Sequence, residues 1–306
     1  MVIHDRSYAR WNGSREGPVN AVAVILQAGM RRGVATLFRR KIPAVLLILT
    51  AFGPFVFFLI AIYGRYYVLN NAANFGGLAE EMRGSELAQM TTANGETVYT
   101  YMFVFQWAFV LVTCVLLGSG LVAEDRRANA LELYLARPVT VRQYLLGKLA
   151  TIGSFIAMVT VLPTMILLLA ALSLSWGEPG EAARVLGLMA RTVAAGAVWV
   201  AVPSMLIVTA SCLTERARNA AILWLGVVVM LEFVISNILL EIFDEQSFLL
   251  LQPSFSIRQI MTWILGDTVD FNAAVPLWQS VAVLLAWAAF CIPTMLRRVK
   301  PVEVVA

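Results

Sequence analysis

The chain has 306 residues, 60% of them hydrophobic and 14% charged, with 23 Lys and Arg against 19 Asp and Glu. Soluble domains carry about 25% charged residues, whereas here the apolar residues fall in blocks of roughly 20, the length that spans a bilayer core. This excludes an ordinary soluble domain; the three cysteines (Cys114, Cys212 and Cys291) all lie inside apolar blocks, which argues against a disulfide framework and for small buried hydrophobes.

Residues 17–41, GPVNAVAVILQAGMRRGVATLFRRK, come first. Val22, Ile25, Leu26 and Met30 recur at helical spacing, as do Met30, Val34, Leu37 and Phe38, with Arg31, Arg32, Arg39, Arg40 and Lys41 among them. This pattern predicts an amphipathic helix on the inner membrane surface; a plain basic flank that fixes topology is the alternative. The apolar block Ile42–Tyr63 starts too late and runs too long for a cleavable signal, so it reads as a permanent span. Further spans follow at Val98–Leu121, Leu149–Leu174, Leu188–Leu213, Ala220–Leu240 and Leu277–Leu296, making six helices in all. Between the first two, residues 64–97 read as an outer loop without recognisable chemistry. Residues 241–276 hold two apolar clusters, Phe248–Leu251 and Ile257–Leu265, each too short to cross, and read as short re-entrant helices or a capping loop before the last span.

Charge sets the expected orientation. With both termini in the cytoplasm, 18 of the 23 Lys and Arg fall inside, and only Arg65, Arg83, Arg184, Arg191 and Arg258 fall outside. The positive-inside rule therefore favours N-in, C-in. The expected fold is an all-α membrane protein, one transmembrane domain over residues 1–306.

The segment between the second and third spans is the most informative. Leu121–Ala150 reads LVAEDRRANALELYLARPVTVRQYLLGKLA, eight charged residues between two apolar runs. Glu124, Asp125, Arg126 and Arg127 leave the second span, and Leu131, Tyr134 and Leu135 then share one helical face. Pro138 stops that helix, and Thr140 with Gln143 makes a capping-box pattern that starts the next. A short stiff cytoplasmic helix over residues 122–140, strapped between two spans, suits the transmission of force. A solvated loop that only fixes topology is the plainer reading.

These residues also carry a resemblance. Ala123-Glu124-Asp125-Arg126-Arg127, then Leu131 to Val139 (LELYLARPV), then Tyr144-Leu145-Leu146-Gly147-Lys148, resemble the type-2 ATP-binding-cassette exporter permeases. That family has six spans, a surface helix before the first, a coupling helix between the second and third, and re-entrant helices before the sixth. Its members often carry Gly-Thr where this chain has Asn129-Ala130, and the Leu-Tyr-Leu-Ala-Arg-Pro spelling is similar to permeases named for multicopper-enzyme maturation. The resemblance implies a dimer, homodimeric or with a paralogous copy, in a bacterial inner (cytoplasmic) membrane. It also implies a separate ATPase subunit that binds ATP and magnesium. The coupling helix would dock on that subunit through Leu131, Tyr134 and Leu135, with polar contacts from Glu124, Asp125, Arg126, Arg127, Glu132 and Arg137. The sequence itself lacks a G-x-x-x-x-G-K-[ST] loop, since Gly147-Lys148 is preceded by Arg142 and followed by Leu149, so no cofactor is expected on this chain and no catalytic role.

Inside the spans, Glu232 is the one acidic residue, at a cost of about 2.5–3.5 kcal/mol for an acid deep in a membrane helix. Such groups face the bundle interior or a wet cavity. Glu232, with Gln106 of the second span as a weaker companion, is a candidate for the translocation path. A structural glutamate near Asn237, or an ion pair with Arg191, is the alternative. The single histidine (His4) and the absence of ligand spacing give no metal site, and no nucleic-acid partner is expected. Two other functions stay open: a secondary transporter or channel, and a membrane scaffold or assembly factor. The first lacks matching interrupted helices in two halves. A membrane enzyme is least favoured, because no acid–base pair or nucleophile constellation is present.

Overall fold

The computed structural model describes residues 21–39, 52–60, 96–130, 139–174, 180–266 and 275–299, with Val45, Tyr63, Gly64, Tyr67, Asn71 and Gly77. All regular structure among them is helical. In chain order the helices are α1 (Ala21–Arg39), α2 (Glu96–Thr113), α3 (Gly120–Arg127), α4 (Val141–Val159), α5 (Val161–Leu174), α6 (Glu181–Leu213), α7 (Ala217–Val229), α8 (Ser236–Phe243), α9 (Pro253–Leu265) and α10 (Leu277–Arg298). A π-helical turn, Cys114–Gly118, joins α2 to α3, and another, Met230–Ile235, joins α7 to α8. Such turns insert one residue into the ladder and are found where a helix is locally reshaped.

Among the described residues six helices are long and apolar enough to cross a membrane: Ala21–Phe38, Tyr99–Arg127, Val141–Ser173, Ala182–Leu213, Ala217–Phe243 and Leu277–Arg298. The last five coincide with spans read from the sequence. The other is α1, whose mean hydropathy of 1.3 is the lowest of the set. The span read at Ile42–Tyr63 lies largely outside the described residues; Val45, residues 52–60, Tyr63 and Gly64 are helical there, and Phe58 meets Phe105 of α2 with ring centroids 6.0 Å apart. Residues 17–20, most of 64–97 and residues 267–274 are likewise outside the described part.

The long helix α6 is the hub, packing against α4, α5, α7, α9 and α10. Its Trp199 is fully buried and meets Phe103 and Trp107 of α2, with centroids 5.6 and 5.5 Å away. Prolines interrupt the long helices without unravelling them. Pro163 cannot donate a backbone hydrogen bond, and α4 gives way to α5 at Thr160 just before it. There the hydroxyls of Thr160 and Thr164 donate to the carbonyls of Ile156 and Thr160, both at 2.8 Å. Threonines thus engage carbonyls around the break, which membrane helices need because lipid offers no partners.

Helix α1 is docked on α4. Ile25 faces Gly147, Gly29 faces Thr151 and Gly33 faces Phe155, so the two helices run parallel. The approach is too close for a side chain at each of the three glycines, and at Gly33 the obstacle is the far edge of the Phe155 ring. A Cβ on Gly29 would lie 2.5 Å from Thr151 Oγ1, and one on Gly147 would lie 2.7 Å from Ile25 Cγ2. Small residues that let backbones meet are the usual means of helix packing in a bilayer.

Candidate functional site

The C-terminal end of the second span carries a buried charge. Asp125, near the end of α3, is 3% exposed. Its Oδ2 is 2.6 Å from Lys148 Nζ and accepts a hydrogen bond of 2.8 Å from the Tyr144 hydroxyl. Tyr144 and Lys148 lie one turn apart on the same face of α4, and the Lys148 ammonium sits 5.3 Å from the Tyr144 ring centroid. Arg32 reaches in from α1, with its Nη1 3.6 Å from Asp125 Oδ1. A charge taken out of water is tolerable only when paired and hydrogen-bonded, and Asp125 has both. The node therefore joins α1, α3 and α4.

A second set of bonds ties α3 to the end of α6. The Ser211 hydroxyl accepts from the backbone N–H groups of Val122 and Ala123, both at 3.0 Å, and donates to the Ser119 carbonyl at 2.8 Å. Arg126 donates from Nη1 to the Cys212 carbonyl. Thus the four residues that leave the second span divide. Asp125 points inward, Arg126 is half-buried against α6, and Glu124 and Arg127 are exposed. The remaining residues that the resemblance assigns to docking, Leu131, Glu132, Tyr134, Leu135 and Arg137, lie outside the described residues.

Both borders of that segment are defined. After α3 the backbone turns at Asn129, whose φ of 50° is left-handed. Glycine adopts that conformation most easily and asparagine is among the few other residues that do. Asn129 therefore supplies here a turn that most residue types resist. On the far side Gln143 N–H donates to Thr140 Oγ1 at 3.3 Å, and Thr140 N–H donates to Gln143 Oε1 at 3.0 Å. The capping box expected from sequence opens α4. Sequence reasoning missed Arg32, Tyr144, Lys148 and Ser211 as partners. The available signal was Lys148 itself, a cation in the first turns of an apolar run with a tyrosine one turn before it.

Glu232 lies in the π turn between α7 and α8 and is buried. Its carboxylate accepts from the Ser254 hydroxyl, and from the Ser254 backbone N–H at 3.4 Å. Its carbonyl accepts from Gln252 Nε2 at 3.1 Å. These contacts place an acid on the N-terminus of α9, where the helix dipole favours negative charge. At the other end of α9, Arg191 of α6 donates to the Leu265 carbonyl at 3.2 Å, a cation where the dipole favours one. Gln259 in the middle donates to the Val275 carbonyl and accepts from Ser280 of α10. So α9, about 20 Å long by its residue count and too short to cross the bilayer, is clamped by three longer helices. Asn237 is engaged in its own helix, donating to the Phe233 carbonyl at 3.0 Å.

Gln106 sits on the buried side of α2, fully enclosed, and neither its amide nitrogen nor its oxygen has a hydrogen-bond partner. The indole N–H groups of Trp107 and Trp199 beside it are also unpaired. Among the described residues no group of His, Cys, Asp and Glu is arranged to hold a metal ion.

No curated protein matches the chain. The model of the ABC-2 family transporter protein matches residues 34–296, from within α1 nearly to the end of α10, and the chain belongs to that family: it is a membrane-embedded permease of an ABC transporter.

Proposed function

We infer that this permease is an exporter powered by ATP hydrolysis in a separate nucleotide-binding subunit, and that it works as a dimer with a second copy or a paralogue. The observation that carries the reading is the node at Asp125. Helices α3 and α4 stand on either side of residues 128–140, and Asp125, Tyr144 and Lys148 fasten the two helices to each other. A push on the segment then moves α3 and α4 together. Ser211 and Arg126 pass the movement to α6, and Arg32 passes it to α1. A solvated topological loop has no need of such fastening. The missing phosphate-binding loop in this sequence supports placing ATP and magnesium on the partner. In this reading Leu131, Tyr134 and Leu135 are the apolar anchors of the docked helix, Glu124 and Arg127 its exposed polar contacts, and Asp125 a residue that stiffens the helix from behind. Gln106 lines the path, because a buried amide without partners is a place for a polar substrate or water. Glu232 orients α9 over that path.

The test is co-purification of the ATPase subunit, expressed together with wild-type chain, Leu131→Asp or Tyr134→Asp. Each variant is expected to recover at least tenfold less ATPase, since a charge buried in an apolar contact costs more than the roughly 1.4 kcal/mol that a tenfold change represents. Undiminished recovery would remove the docking role from this helix.

A further inference from the structure

Between α1, the inner end of the second span and α4 lies a cleft of about 140 Å³, large beside the roughly 10–15 Å³ that one water needs. Its floor is apolar, formed by Leu117, Ile152 and Phe155, and its rim is charged, with Arg32, Lys148 and Glu124. The charges there are not evenly matched. Asp125 is 2.6 Å from Lys148 but 3.6 Å from Arg32. One carboxylate already paired with a buried ammonium leaves Arg32 with most of its charge, and the Arg32 side chain is 66% exposed. Exposed Arg31 stands next to it, and exposed Arg216 and Arg218 flank Ala217, which forms part of the wall. Against these stand Glu124, whose carboxylate folds back toward Gly120, and the exposed Glu215. The mouth is net positive.

The outward face of α1 adds the second half of the argument. Val24, Val34 and Phe38 are 49%, 40% and 70% exposed, beside Arg31. Apolar side chains and a cation together on the free face of a helix that runs beside α4 suit contact with acyl chains and anionic headgroups. We propose that this cleft holds the headgroup of an anionic phospholipid from the cytoplasmic leaflet, with its phosphate on Arg32 and the start of its acyl chains over Phe155. Basic pockets between membrane helices on the cytoplasmic side take anionic headgroups for the same electrostatic reason. A soluble anion would make no use of the apolar floor or of the membrane-facing helix. The bound lipid bridges α1 to the second span across the gap that the Gly29–Thr151 contact leaves open, so it belongs to the inner assembly that the node also joins.

The experiment uses the full chain, released from nanodiscs of phosphatidylcholine with a minor share of phosphatidylglycerol and weighed by native mass spectrometry. One phosphatidylglycerol per chain is expected to stay bound in preference to phosphatidylcholine. Arg32→Gln is expected to lower that retention roughly fivefold, the worth of one basic residue at an anionic surface. Ala28→Leu fills the cleft from α1 with no change of charge and lowers it as well. Arg142→Gln, exposed at the start of α4 and outside the cleft wall, leaves it unchanged. Circular dichroism and a single size-exclusion peak establish that each variant folds; if Ala28→Leu does not, Arg32→Gln decides, because its side chain is mostly in solvent. Equal retention of the two lipids by wild type, or retention by Arg32→Gln equal to wild type, overturns the proposal. So does displacement of the lipid by inorganic phosphate, which would make this a soluble-anion site.

Discussion

The end of the bundle where α3 meets α4 and its middle both bury polar groups, and they treat them in opposite ways. Asp125 and Lys148 are 3% and 5% exposed, and each has close partners. Gln106 and Trp199 are fully buried, and the amide and indole groups have none. A saturated polar cluster in a low-dielectric interior holds one geometry, because any rearrangement breaks several strong bonds at once. An unsatisfied one carries a standing cost of about 1–3 kcal/mol per group, released by whatever hydrates or binds it. The contrast is between a stiff end, held in one geometry, and a middle that would gain by hydration or binding. It also accounts for the bulky lining of the middle: Phe103, Trp107 and Trp199 keep water out of a region that contains groups able to bind it.

The contrast breaks most visibly at Lys148. Lys148→Met leaves Asp125 buried with only the distant Arg32 and the Tyr144 hydroxyl, and removing one member of a buried pair costs about 3–5 kcal/mol. A large drop in the thermal midpoint of the detergent-solubilised protein is expected. Asp125→Asn combined with Lys148→Met should recover much of it, since no uncompensated charge then remains. A midpoint for Lys148→Met close to wild type would mean that the node is not a stiff element at all.

In the middle the sign reverses. Gln106→Leu removes a buried amide that has no partner and keeps the volume nearly constant, so it is expected to stabilise the protein by about 1 kcal/mol or more. If Gln106 lines the path as proposed, the same change should impair transport in whole cells. If the variant instead melts earlier, Gln106 is satisfied in the membrane and the two regions are alike.

The difference between these regions explains what could be read from residues alone. Element existence was legible because it rests on local composition: five spans, the helix at 21–39, and the turn and capping box at Thr140. The residues of the node were visible as charges, but Asp125 finds Lys148 23 positions later and Arg32 93 positions earlier. Pairing across such separations is a product of packing, so a charged run at a membrane end looked like a solvated face with all four residues free to dock. Glu232 shows the same limit. Its isolation in an apolar run announced a buried partner, yet the partner is Ser254, on a short helix whose start is marked only by Pro253. The π turns at Cys114–Gly118 and Met230–Ile235 leave no compositional trace, because they differ from an α-helix by one inserted residue. Asn129 was the reverse case: it was read as a feature of the surface, and it is where the backbone turns left-handed.

The smallest expected effect tests whether the stiff end stands by itself. Thr140→Ala deletes the side chain that caps α4, and loss of such a cap costs about 1 kcal/mol. Thr140 lies eight residues before Lys148, or roughly 12 Å along the helix, and changes so far apart add within about 0.3–0.5 kcal/mol when they share no partners. Thr140→Ala together with Lys148→Met should therefore cost the sum of the two. Amide hydrogen exchange gives the local view. Protection should fall over the first turn of α4 and return by Tyr144, whose hydroxyl is anchored on Asp125 and owes nothing to the cap. Should the loss run on through Lys148, the node would depend on the capping turn for its shape, and force arriving at residues 126–140 would be absorbed by fraying before it reached the bundle.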